Sequence, residues 1–141
     1  MSKKVLIVDD DVDFALIQKE ILEKDGFVVQ MIHSSDEALK TLEDGEPPDL
    51  IISDLMMEKD DSGFTLCHKL KRAPKTSKVP ILMLTGVGQV RSIGFDLKSS
   101  ASREWIKADD FAEKPVRPEV LLAKVRHLLG MSAEAEDAGG H

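Results

Sequence analysis

The chain has 141 residues, 42% of them hydrophobic and 32% charged, and a formal net charge of −7. That is apolar enough for one packed core and too apolar for a disordered chain, while the acidic balance opposes a sequence-independent grip on nucleic acid phosphates. Cys67 is the only cysteine, so no internal disulfide forms and a reducing, cytoplasmic setting is expected; the apolar run Val5 to Val8 is too short for a signal peptide or a membrane span.

In chain order, the first strand is expected over Lys4 to Val8 and runs into Asp9 and Asp10. A helix follows, with Phe14, Ile17, Ile21 and Leu22 as its apolar stripe and Asp25-Gly26 as its stop. The second strand is Phe27 to Ile32. The next helix is capped by Ser34 or Ser35, turns Ala38, Leu39 and Leu42 inward, and ends at Gly45 before Pro47-Pro48. Leu50 to Ser53 is the third strand. After it, Phe64, Cys67 and Leu70 mark the inner face of a helix that begins near Ser62-Gly63 and stops before Pro74. Ile81 to Leu84 is the fourth strand. Residues 87 to 107 carry glycines, serines and scattered apolar residues, so the helix region there is irregular. Phe111 to Glu113 is a short fifth strand, and a last helix starts near Pro118 with Val120, Leu121, Val125, Leu128 and Leu129, closing at Gly130. One domain over residues 1 to 130 is expected, and residues 131 to 141 read as a disordered tail with no linker to a further module.

Strand-like runs alternating with helical periodicity specify an α/β fold with a doubly wound parallel sheet, and the runs VLIV, LIIS and ILML are continuous, as strands covered on both faces should be. In such sheets ligands bind at the carboxyl ends of the strands. Those ends carry Asp9 and Asp10, then Asp54, then Thr85 with Gly86, then Lys114 with Pro115. Clustered carboxylates repel and call for a hard divalent cation, which points to Mg²⁺. Asp54 is placed to act as nucleophile toward a phosphoryl group whose oxygens Lys114, the cation and the Thr85 hydroxyl would bind. Any one of these residues alone reads as a helix cap or a surface charge; the joint pattern at four strand ends does not.

The segments VLIVDDD, LIISDLMM, ILMLTG and FAEKPV resemble, in order, the motifs of response regulator receiver domains of two-component signalling. The resemblance covers residues 3 to 130. It implies a flavodoxin-like, five-stranded parallel sheet of order 2-1-3-4-5 with five flanking helices. By motif Asp54 matches the phosphoacceptor, and Asp9 and Asp10 match the metal-binding acid pair. Met56 matches the residue that offers a backbone carbonyl to Mg²⁺, Thr85 the switch hydroxyl, Lys114 the family's lysine and Phe111 the switch aromatic. The implied partners are a sensor histidine kinase or a histidine phosphotransfer protein as donor and a downstream protein as target. Nucleic acid and membrane are not expected as direct partners, and a monomer or weak dimer is the expected state. The chain would act as a signalling switch, either a phosphorelay intermediate or an allosteric binder. It would catalyse only its own phosphorylation and slow dephosphorylation.

Two departures from the family pattern stand out. Glu58 occupies the position where the family usually has Pro, and Gly63 lies one residue later than the family's Gly. Thr85 and Lys114 are 29 positions apart, longer than the family pattern, and the usual alanine-rich helix between them is missing. Met56 and Val87 lie two residues beyond Asp54 and Thr85, where neither side chain orients a hydrolytic water, so slow autodephosphorylation is expected.

Other readings carry less weight. A pseudo-receiver that keeps the fold without phosphorylation would lack part of the residue set. A calcium loop from Asp9 fails because Phe14 stands where glycine is required. The run Asp9-Asp10-Asp11 resembles the nucleophile loop of haloacid dehalogenase-like phosphatases, but those enzymes usually continue with a Thr or Val pair, and Asp13-Phe14 stands here instead. His33, His68, His127 and His141 show no metal-ligand spacing. Cys67 reads as a small core residue. Trp105, near Phe95, Leu97 and Ile106, reads as a local core anchor or else a docking residue.

Overall fold

The structure, a computed structural model, describes residues 3–54, 62–85, 109–114 and 116–130. Five strands form one parallel sheet: β1 (Lys4–Val8), β2 (Val28–Ile32), β3 (Leu50–Asp54), β4 (Ile81–Thr85) and β5 (Asp110–Glu113), in the order β2-β1-β3-β4-β5. Four helices are found among the described residues: α1 (Val12–Lys24), α2 (Ser35–Asp44), α3 (Ser62–Arg72) and α4 (Pro118–Leu128). The strand order and the parallel pairing agree with the sequence-based expectation. The irregular region 87 to 107, Met56 and the tail 131 to 141 lie outside the described residues.

The central strands carry the continuous apolar runs Val5 to Val8, Leu50 to Ile52 and Ile81 to Leu84 because each face has its own cover. Successive side chains of a strand point to opposite faces. Leu6, Val8, Ile51, Ile81, Met83 and Phe111 accordingly pack with α2 and α3 residues Ala38, Leu42, Leu66, Cys67 and Leu70. The alternate positions Val5, Ile7, Leu50, Ile52, Leu82, Leu84 and Ala112 pack with Ala15 and Leu22 of α1 and Leu121 and Val125 of α4.

Helix ends obey local chemistry. Asp11 accepts the Phe14 N–H at 3.1 Å and caps α1, and Ser34 accepts the Glu37 N–H at 3.1 Å and caps α2. α4 has no side-chain cap and begins on Pro118, which has no N–H to satisfy. Gly26 and Gly130 end α1 and α4 at φ 94° and 75°; a Cβ would find open space at both, so the backbone angle and not crowding calls for glycine.

Two helix faces differ from the expected stripes. Ile17 is 55% exposed, because α1 turns Ala15, Gln18 and Leu22 to the sheet and leaves Ile17 on the far side. Val120 is also exposed, while Leu121 and Val125 are buried. Phe14 and Ile21 flank the buried row and are partly buried.

Candidate functional site

Strand register assembles the site at the carboxyl edge of the sheet. Val8 pairs with Ser53, so the next residues, Asp9 and Asp54, stand level on adjacent strands. Thr85 pairs with Glu113, and the Lys114 N–H donates to the Thr85 carbonyl at 2.7 Å, which ties the lysine backbone to the end of β4. Asp9, Asp10 and Asp54 each offer a carboxylate oxygen, and these oxygens lie within 4.8 Å of one another. Asp9 and Asp54 are buried and Asp10 is exposed, so the cluster opens to solvent on one side.

Lys114 Nζ lies 3.1 Å from Asp9 Oδ2 and 3.4 Å from Asp54 Oδ2. It also sits 4.5 Å from the centroid of the Phe14 ring, whose face attracts the cation. Asp9 Oδ1 accepts the Asp11 N–H at 2.9 Å, which fixes the carboxylate at the start of α1. The Asp9 carbonyl is 3.1 Å from His33 Nδ1, a contact that holds the backbone at the end of β1.

Thr85 is fully buried, and its Oγ1 makes no hydrogen bond among the described residues. A buried hydroxyl without a partner is costly, about 1–3 kcal/mol, and a ligand oxygen beside Asp54 would satisfy it. Phe111 is buried against the α2–α3 side of the sheet, three residues before Lys114, and its ring has no hydrogen-bonding group.

The arrangement suits a hard cation. The three carboxylates offer oxygens within 4.8 Å of one another, the hard donor set that a divalent ion takes, and among the described residues Lys114 reaches two of them. Asp9, Asp10, Asp54 and Lys114 lie together, and Thr85 ends β4, the strand next to that of Asp54. Met56, the expected carbonyl ligand, and Val87 are outside the described residues, as are Trp105 and its apolar neighbours.

Cys67 is buried in the α3 core, where desolvation pushes its thiol from the ordinary 9.0 up to about 12, opposed by Lys71 and reinforced by Asp109. It is core and not a nucleophile, as its helical spacing suggests.

Two features go beyond the sequence reading. Phe14 belongs to the expected α1 stripe, yet its ring holds Lys114; an aromatic one turn into the helix after the acid pair is the signal. A second cluster joins α3 to the starts of β4 and β5. Lys71 Nζ donates to the Val79 carbonyl at 2.9 Å and to Asp109 Oδ2 at 2.8 Å, the same carboxylate oxygen accepts the Ile81 N–H at 2.7 Å, and the Asp109 N–H donates to the Ile81 carbonyl at 2.9 Å. Nothing local in the sequence announces a partner 38 residues away.

Comparison with known proteins is consistent with this geometry. A family model described as the response regulator receiver domain matches residues 5–126. The chain is 36% identical over 140 residues to the DNA-binding dual master transcriptional regulator RpaA of Synechocystis sp., covering 98% of this chain and 54% of that protein. It is 35% identical over 135 residues to the transcriptional regulatory protein CpxR of Escherichia coli, covering 94% of this chain and 52% of that protein. The chain thus spans about half the length of these curated relatives. A crystal structure of a putative response regulator from Chloroflexus aurantiacus superposes with a TM-score of 0.79 at 31% identity, covering 92% of this chain and 99% of that one. No helix among the described residues is long and apolar enough to cross a membrane.

Proposed function

Since this chain belongs to the response regulator receiver domain family of two-component signalling, we propose that it is a phosphorylation switch in which Asp54 accepts a phosphoryl group from a phosphohistidine donor. The observation that carries this reading is the convergence of Asp9, Asp10 and Asp54 within 4.8 Å, with Lys114 bridging Asp9 and Asp54 and a buried Thr85 hydroxyl that has no partner among the described residues.

An Asp54 oxygen attacks phosphorus, the phosphorus–nitrogen bond of the donor breaks, and the departing imidazole keeps the electron pair and takes up a proton. The product is an acyl phosphate on Asp54. Asp9, Asp10 and Asp54, with the Met56 carbonyl, would hold Mg²⁺, which when bound supplies positive charge to the phosphoryl oxygens. Lys114, already 3.4 Å from Asp54, neutralises a further oxygen, and Phe14 keeps the ammonium over the site. Thr85 donates its hydroxyl to a third.

Satisfying Thr85 draws it toward Asp54, and Phe111 on the neighbouring strand repacks in response. The signal passes by packing, since the phenyl ring has no hydrogen bond to make or break. This is a shift between two packings driven by bonds that exist only with phosphate present.

The donor is a protein, a sensor histidine kinase or histidine phosphotransfer protein. Val12 and Leu16 of α1 and Val120 of α4 are exposed apolar side chains near the helix starts that border the site, and they supply a docking surface for it. Output passes to a protein target, in keeping with the net charge of −7 of this chain. The setting is cytoplasmic, and the chain turns over no external substrate.

Incubation with acetyl phosphate and Mg²⁺, followed by intact mass, tests the proposal. The mass should rise by one phosphoryl group, and the rise should vanish in Asp54→Asn. Absence of incorporation in the unaltered chain would favour a binding module regulated otherwise. Release of inorganic phosphate that survives Asp54→Asn would assign phosphatase chemistry to Asp9.

A further inference from the structure

On the α2–α3 side of the sheet, α2 and α3 leave between them a cavity of about 520 Å³. It opens there because α2 stops at Gly45 and α3 stops at Arg72, ahead of Ala73 and Pro74, which continue no helix and fill little space. The floor is apolar: Leu42 and Leu70 are buried, and half-buried Leu39 packs on the same cluster. The volume falls within the range of about 300–1,000 Å³ typical of small-molecule sites, which are mostly apolar with few polar groups.

The rim carries a definite charge. Lys69 and Lys75 line the cavity against one acid, Glu43. Around them Lys69, Lys71, Arg72, Lys75 and Lys78 lie in a stretch from Ser62 to Val79 that contains no aspartate or glutamate, in a chain whose net charge is −7. Lys71 is committed to Asp109 and the Val79 carbonyl, whereas Lys69 is exposed and makes no ion pair among the described residues. Lys75 Nζ donates to the Glu43 carbonyl at 3.0 Å, which holds the ammonium at the cavity mouth and compensates the last turn of α2, where no basic residue stands. The buried Thr76 hydroxyl donates to the Leu70 carbonyl at 2.6 Å, so its proton is not available to a ligand.

These groups select the ligand. Two ammonium groups against one carboxylate disfavour a cation. A polyanion such as a nucleotide would need several donors converging on its phosphates, and the floor offers hydrocarbon instead. We propose that the cavity binds a small amphipathic carboxylate, its apolar body against Leu39, Leu42 and Leu70 and its anionic head between Lys69 and Lys75. The site is separate from the acidic cluster and does not rest on phosphorylation of Asp54.

Titration of the ¹⁵N-labelled full chain with sodium octanoate, followed by amide chemical shifts, tests this. The expected result is saturable shifts confined to residues 39–43 and 69–76 with a Kd of about 1 mM or tighter. Octylamine hydrochloride, with the same body and the opposite charge, should not saturate. Lys69→Glu should weaken octanoate about tenfold, Ala73→Leu should abolish binding by filling the cavity, and Asp54→Asn should bind as the unaltered chain does. Non-saturating shifts with octanoate overturn the proposal, as does equal affinity for octylammonium or undiminished binding in Lys69→Glu. The Lys69 change lies on an exposed side chain, so the test survives a poorly folded Ala73→Leu.

Discussion

Replacing Asp54 by Asn should make the metal-free chain more stable even though it removes an ion pair. Asp54 lies 3.4 Å from Lys114, an attraction of about 5 kcal/mol at an effective dielectric of about 20. Against that, its oxygen lies within 4.8 Å of the buried Asp9 carboxylate, a repulsion of at least about 3.5 kcal/mol on the same scale. Exposed Asp10 adds about 1 kcal/mol more through water-like screening. These three Coulomb contributions nearly cancel one another, and desolvation then weighs against the ionised carboxylate. Burying an ionised carboxylate costs several kcal/mol, and the amide of nearly identical shape escapes most of that cost. A net gain of about 1–3 kcal/mol follows. Urea unfolding in the presence of a chelator should show a higher midpoint with an unchanged slope. Adding Mg²⁺ should then narrow the gap, because the unaltered chain gains about 1.4 kcal/mol at tenfold over its dissociation constant and the variant gains less. Lys114→Met should move the other way. It strips the shared cation from two buried carboxylates and recovers only the desolvation of an ammonium whose side chain is 19% exposed, a loss of about 2–4 kcal/mol that Mg²⁺ partly restores. An Asp54→Asn chain less stable than its parent in chelator, or a Mg²⁺ response equal in the two, would refute this reasoning.

Thr85→Val removes a buried hydroxyl that has no partner among the described residues, so the unphosphorylated chain should gain about 1 kcal/mol in urea unfolding. The same change should erase the chemical-shift response to phosphorylation while leaving the mass increase in place. Val12→Glu with Leu16→Glu should slow transfer from a phosphohistidine protein about tenfold or more and leave the acetyl phosphate rate unaltered; equal slowing of both would place these residues outside donor docking. Met56→Asn should speed decay of the acyl phosphate by giving the attacking water a polar neighbour, and an unchanged or slower decay would count against that role. With its thiol raised to about 12 by desolvation, Cys67 should react with a disulfide reagent at pH 8 only as fast as the chain unfolds. The folded chain holds that proton where the unfolded chain releases it. The contribution to stability is therefore full below about 9 and declines as pH rises toward about 12, which alkaline unfolding curves for Cys67→Ala would check.

The strands and the site were legible for one reason. A strand covered on both faces carries a continuous apolar run, so the polar residues that follow each run mark the carboxyl edge: Asp9 follows Val8 directly, while Asp54 and Lys114 each come one residue after the first polar one, Ser53 and Glu113. The same logic locates β5 in spite of its four residues, since Phe111-Ala112 continues both face patterns. Helix faces were less legible. Ile17 is more hydrophobic than Gln18, but α1 needs a narrow inner row, and small Ala15 and half-committed Gln18, whose Nε2 donates to the Phe14 carbonyl at 3.5 Å, fit where hydrophobicity alone favours a branched side chain. Long-range pairs such as Lys71 with Asp109 stayed hidden because only the finished sheet register brings them together.

Both ends of the stretch joining β4 to β5 are anchored by described residues. Asp109 is tied to Ile81 and Lys71 at one end, and Lys114 to Thr85 at the other. Loop closure grows only slowly with length, about 0.6 kcal/mol per doubling. A graft between those two anchors is therefore expected to leave the lysine aimed at its two aspartates, since closing a longer loop costs little.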